Sequence, residues 1–126
     1  MARKPAVELA REWIAAAEQG DSEGMAELLA DDAVFYASRL RGRRFSGRDE
    51  IEMFLSETGF EATGYGYTPV DHEYVVVTVS LRRQLPHGGF ADSNLAMVFK
   101  ADGDEIVCID AFSSEHEALA SVARSS

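Results

Sequence analysis

Residues 10–35 read AREWIAAAEQGDSEGMAELLADDAVF, and the periodicity changes twice along them. Val7, Ala10, Ile14 and Ala17 recur at helical spacing with Trp13 beside them, which predicts a first amphipathic helix. Gly20 is placed to end it, because a glycine accepts the left-handed backbone of a helix terminus at little cost. Asp21 follows as an N-cap for a second, shorter helix whose apolar face is Met25, Leu28 and Leu29, with Asp31 and Asp32 at its end. Ala33-Val34-Phe35-Tyr36 then has the β-branched and aromatic content of a strand.

Downstream, Ser38–Arg48 (SRLRGRRFSGR) collects Arg39, Arg41, Arg43, Arg44 and Arg48. Leu40 to Arg43 reads as a turn between short strands, and Phe45 closes the second of them. Ser46 with Asp49, or Gly47 alone, is placed to cap a third helix bearing Ile51, Phe54, Leu55 and Thr58 on one face, with Gly59 at its end. From Thr63 the period becomes two. Tyr65 and Tyr67 alternate with Gly64 and Gly66. Tyr74 to Leu85 forms a long strand with Val75, Val77, Val79 and Leu81 on one face and Val76, Thr78, Ser80 and Arg82 on the other. Pro86 to Gly89 is a loop, Ser93 to Lys100 a strand, Asp102-Gly103 a hairpin turn, and Glu105 to Phe112 a last strand. Ser114 and Glu117 form a capping box for a short terminal helix carrying Leu119 and Val122. Helices first and strands afterwards define an α+β chain, in place of the alternation a parallel sheet requires.

The 126 residues suit one domain, 1–126, able to bury a core of its own. A net charge of −10 argues against a nucleic-acid partner, since phosphate recognition needs positive surface. No apolar run reaches the roughly 20 residues that span a bilayer, which argues against a membrane partner. The opening Met-Ala-Arg-Lys-Pro lacks an apolar signal-peptide core, and the lone Cys108 has no internal disulfide partner, so a cytoplasmic location is expected. Within the acidic chain, the arginines of 38–48 read as a solvated turn paired with Asp31, Asp32, Asp49 or Glu50, or alternatively as a positive rim that steers an anionic ligand.

Four segments in order, AREWIAAAEQGDSEGMAELLADDAVF (10–35), FSGRDEIEMFL (45–55), VTVSLRRQ (77–84) and MVFKADGDEIVCIDAF (97–112), together resemble the nuclear transport factor 2-like superfamily, in the branch shared by SnoaL-like proteins and ketosteroid isomerases. The resemblance covers nearly the whole chain. It implies a cone: a strongly curved, mostly antiparallel sheet of six strands wrapped around three N-terminal helices, with a short C-terminal helix and an apolar pocket. It also implies a homodimer formed through the outer sheet face. Enzymes, binders and transport factors share this fold, so function has to be argued from the site.

Mapped onto this chain, the isomerase's first-helix tyrosine falls on Trp13, its strand base on Ala37, and its partner acid on Leu95, beside Asn94 of opposite parity. Leu55 stands where a supporting tyrosine would be. Without base and acid, that proton relay is missing. In SnoaL-like cyclases a late-strand aspartate serves as acid/base, which nominates Asp110; alternation and the resemblance instead direct Val107, Ile109 and Ala111 to the pocket and Asp110 outward, across from Arg82 or at a dimer interface. An epoxide-hydrolase-like Asp-Arg-Asp set could be assembled only from Asp71, Arg82 or Arg83, and Asp92. His87, in its Pro-His-Gly-Gly loop, is a second acid/base candidate at the pocket mouth, against the alternative of a solvated loop histidine. No histidine spacing supports a metal, and no cofactor motif is present. The expected ligand pocket is Trp13, Phe35, Phe54, Tyr65, Tyr67, Leu81, Leu95, Met97 and Ile109 (Val79 and Phe99 share the inward face), suited to a small hydrophobic or aromatic molecule. The alternatives are a non-catalytic binding domain or a protein-interaction module of the same fold.

Overall fold

In the computed structural model, which describes residues 4–38, 43–84 and 87–125, helices α1 (Ala6–Glu18) and α2 (Ser22–Glu27) precede strands β1 (Leu29–Ser38) and β2 (Arg43–Ser46). Helix α3 (Arg48–Thr58) follows, then β3 (Glu61–Pro69), β4 (Tyr74–Gln84), β5 (Phe90–Asp102), β6 (Glu105–Phe112) and α4 (Glu115–Ser125). The strands form one sheet in the order β2-β1-β6-β5-β4-β3. Every neighbouring pair is antiparallel except β1 and β6, which run parallel. The arrangement is the α+β cone: α1 and α3 fill the concave side of the curved sheet.

Alternation along the strands explains the inner layer. Val75, Val77 and Val79 of β4, Met97 and Phe99 of β5, and Ile109 of β6 share one cluster with Leu9, Trp13 and Ile14 of α1 and Ile51 and Leu55 of α3. Burying a large side chain of this kind contributes about 1.5–3 kcal/mol against the entropy of ordering the chain.

The second helix is shorter, and β1 longer, than the sequence suggests. Leu29 belongs to the strand, and Asp31 and Asp32 lie within it. The cause is the parallel pairing with β6: Ile106 N–H donates to Leu28 O at 2.9 Å, and Leu29 pairs with Ile106. The next pair in register is Val34 with Cys108, so β1 bulges between them. Arg48 reaches into this irregularity. Its Nε and Nη2 donate to Leu29 O at 3.1 and 2.9 Å, and Nη2 lies 3.0 Å from Asp31 Oδ1 and 3.8 Å from Glu105 Oε2.

Gly47, not Ser46, caps α3. Its φ of 94° is open to glycine at little cost, and its N–H donates to Ala33 O at 2.8 Å, tying the helix start to β1. At the other end Gly59 is left-handed at φ 62°, and Phe60 N–H returns to Leu55 O at 3.1 Å, the six-to-one bond of a Schellman ending. That turn drives Phe60 back over the inner cluster.

The convex face is partly covered. Ala118 and Val122 of α4 pack on Val76, Ala96 and Val98, flanked by Tyr74 and Phe112, in a second apolar cluster. The terminal helix therefore occupies part of the outer face that the resemblance assigns to pairing between copies.

Candidate functional site

The inside of the cone is aromatic from its depth to its rim. Trp13 is fully buried, with ring centroids 5.3 Å from Phe99, 5.5 Å from Phe60 and 6.4 Å from Phe35. Phe35 continues to Phe54 at 5.8 Å, and Phe54 stacks on half-buried Phe45 at 4.2 Å. Edge-to-face and offset pairs of this kind add about 0.5–1.5 kcal/mol each beyond the area they bury. The sequence did not single out Phe45 and Phe60 as lining residues; the signal available for Phe60 was its place directly after a helix-ending glycine.

Among the described residues, one buried side-chain polar atom stands without a partner in this interior. Trp13 Nε1 is buried and has no hydrogen-bond partner. An indole N–H left unpaired in an apolar interior costs about 1–3 kcal/mol, so the donor is exceptional. The only buried charged residue among the described ones, Asp110, lies elsewhere. It is 7% exposed and pairs in register with Val98 of the convex cluster and with Tyr36, while its neighbour Ile109 faces the cone. Asp110 is thus on the outer face, as alternation directs, and Arg82 stands opposite Asp92 rather than opposite Asp110.

The remaining pocket candidates divide by position. Phe35, Met97 and Ile109 are fully buried in the inner cluster, and Phe54, Tyr67, Leu81 and Leu95 pack at its margin. Tyr67 lies under Arg11 of α1, whose Cζ is 4.1 Å from the ring centroid, and burial raises the phenol above its ordinary pKa while Arg11 pulls it down. Its hydroxyl also approaches Gly64 so closely that a Cβ there would stand 2.7 Å away, so a larger residue at that position would require the Tyr67 side chain to shift. Tyr65 departs from the inward set. The β3–β4 register slips between Gly64 and Gly66, and this bulge turns Tyr65 out until it is 70% exposed.

Among the described residues the other acid/base candidates stand apart from one another, and the Arg83 side chain lies outside the described residues. His87 is exposed. Asp71 accepts from the N–H groups of Glu73 and Tyr74, both at 2.9 Å, so it shapes the β3–β4 turn; Arg82 and Asp92 form a loose cross-strand pair at 3.7 Å much further along β4. Among the described residues no three His, Cys, Asp or Glu side chains gather to hold a metal ion. Within the arginine-rich segment, Arg39 and Arg41 lie outside the described residues, Arg44 sits 5.9 Å from the Tyr36 ring centroid, and Arg48 is committed to Leu29 and Asp31.

Comparison with known proteins agrees with this architecture. Residues 10–109 match the SnoaL-like domain family, and the chain belongs to it. A search of curated proteins finds no match. Among solved structures, a protein from Sphaerobacter thermophilus is 28% identical, with a TM-score of 0.71, covering 86% of this chain and 94% of the other. A Mycobacterium tuberculosis protein in complex with estradiol-17beta-hemisuccinate is 15% identical, with a TM-score of 0.74 over 90% and 97% of the two chains. The Delta 5-3-ketosteroid isomerase of a Mycobacterium species is 18% identical, with a TM-score of 0.71 over 90% and 95%. These likenesses establish the cone fold. Among the described residues no helix is long and apolar enough to cross a membrane.

Proposed function

We propose that this SnoaL-like chain binds a small, predominantly apolar molecule inside the cone and orients it through a single hydrogen bond from Trp13 Nε1–H. The observation that carries this reading is the buried, unpartnered indole donor in an otherwise aromatic lining. An aromatic interior with one unpartnered buried donor suits a ligand recognised by shape and carrying one acceptor, such as a ketone or phenol oxygen. A steroid-like molecule fits that description, and the steroid complex of a similarly folded protein lends it weight.

The same observations favour binding over proton transfer. General acid–base catalysis needs a titratable group within hydrogen-bond reach of the reacting atom. Among the described residues no carboxylate or histidine belongs to the inner cluster, whose titratable member is the Tyr67 phenol at its margin, and the buried carboxylate, Asp110, is on the other side of the sheet.

Trp13→Phe tests the reading, because it keeps an aromatic ring but removes the donor. With progesterone as the probe in equilibrium binding, the variant should bind about 2–10-fold more weakly, the worth of one hydrogen bond, while circular dichroism shows the fold retained. Unchanged affinity in a folded variant would exclude Trp13 as the orienting group.

A further inference from the structure

A concavity beside the start of α4 has a different chemistry from the aromatic interior. It has a volume of about 410 Å³ and lies between the bulged β3 strand, the adjoining stretch of β4 and β5, and the start of α4. Tyr65 forms one wall; Thr78 and Asn94 from the strands, and Ser113, Ser114 and Glu115 from the helix start, supply polar groups, and Val79 and Leu95 complete the lining.

The polar groups are only partly used. Thr78 Oγ1 donates to Gly66 O at 3.4 Å, Ser113 Oγ donates to Glu117 Oε2 at 2.9 Å, and Ser114 Oγ accepts from Glu117 N–H at 3.2 Å. Glu115 Oε1 accepts from Thr68 Oγ1 at 3.3 Å, which leaves its other oxygen open. Among the described residues the side chains of Asn94 and Tyr65 make no hydrogen bond, and Tyr65 is held out in solvent by the bulge that interrupts β3 pairing. An exposed aromatic ring beside an amide, several hydroxyls and one carboxylate offers both stacking and mixed donor–acceptor recognition.

We infer that this cavity binds a neutral polyhydroxylated ring, of the pyranose class, stacked on Tyr65 and hydrogen-bonded by Asn94 and Glu115. The charge and shape of the site select among ligand classes. Glu115, on a chain of net charge −10, repels anions. An alkylammonium would want an aromatic cage, and Tyr65 is the single ring lining this cavity. A sugar presents an apolar face to a ring and hydroxyls, each both donor and acceptor, to amide and carboxylate edges. Leu95 and Val79 are shared with the inner cluster, but Trp13 does not line this cavity, so the assignment does not depend on the reading given for Trp13.

Saturation-transfer NMR on the intact chain tests it, using methyl β-glucopyranoside, methyl β-galactopyranoside and cellobiose as probes, with tetramethylammonium and inorganic phosphate as charged controls. At least one neutral sugar should show transfer, and Tyr65→Ala and Asn94→Ala should each weaken its binding about 5–10-fold. Both residues are exposed, so the variants should keep the fold, and Tyr65→Ala should bind progesterone as the parent does. Absence of transfer to all three sugars, binding that survives Tyr65→Ala, or preference for either charged control would overturn the assignment.

Discussion

Arg48 shows what a residue can do that its charge alone does not suggest. A cation at a helix start opposes the helix dipole, yet its guanidinium turns away from α3 to satisfy Leu29 O at the β1 bulge and to meet Asp31. Because the group is about one-third exposed, solvent screens part of the ion pairs, and the backbone bonds dominate. Arg48→Ala should therefore lower unfolding stability by about 1–2 kcal/mol in denaturant titration; a shift within error would mean the fork to Leu29 O contributes nothing. Pairing of the arginine-rich segment with Asp31 was legible from proximity in sequence, whereas the carbonyl partner was not, because it depends on a bulge set by a strand distant in sequence. Tyr65 teaches a related lesson. Strict alternation points it inward, and the flanking Gly64 and Gly66 were the only local hint of a bulge.

Among the elements, α4 is the clearest case of a local signal read correctly while its placement stayed hidden. The Ser114–Glu117 capping pair is visible in the sequence, and Ser114 Oγ does accept from Glu117 N–H, while the Glu117 carboxylate is engaged by Ser113 instead. Ser114→Ala should destabilise α4 locally by about 1 kcal/mol, seen as faster amide exchange in α4 while β4 and β5 keep their protection. Equal exchange in parent and variant would contradict a stabilising cap. Where α4 docks could have been suspected from β4 and β5, whose Val76, Ala96 and Val98 make the second face of the sheet apolar as well as the first. The α2–β1 boundary was misplaced because Leu29 fits a helix face as well as a strand, and only the parallel partner β6 decides between them.

For the whole molecule, the cone was readable because each local signal, from helix periods to caps to strand alternation, pointed to the same arrangement. The candidate site was readable only in part. Trp13, Phe35, Phe54 and Phe99 follow from periodicity, but no sequence pattern states that the Trp13 donor is left without an acceptor, which is a property of the assembled interior. That donor is the centre of the functional reading, and the chain's single tryptophan makes it observable in isolation. In a proton–nitrogen correlation spectrum the one indole N–H resonance should lie upfield in the free protein, where it has no partner. It should move downfield on saturation with progesterone as the ketone oxygen takes the bond. Progesterone binding that perturbs the cone residues yet leaves the indole resonance in place, or that does not occur at all, would contradict the proposed role of Trp13.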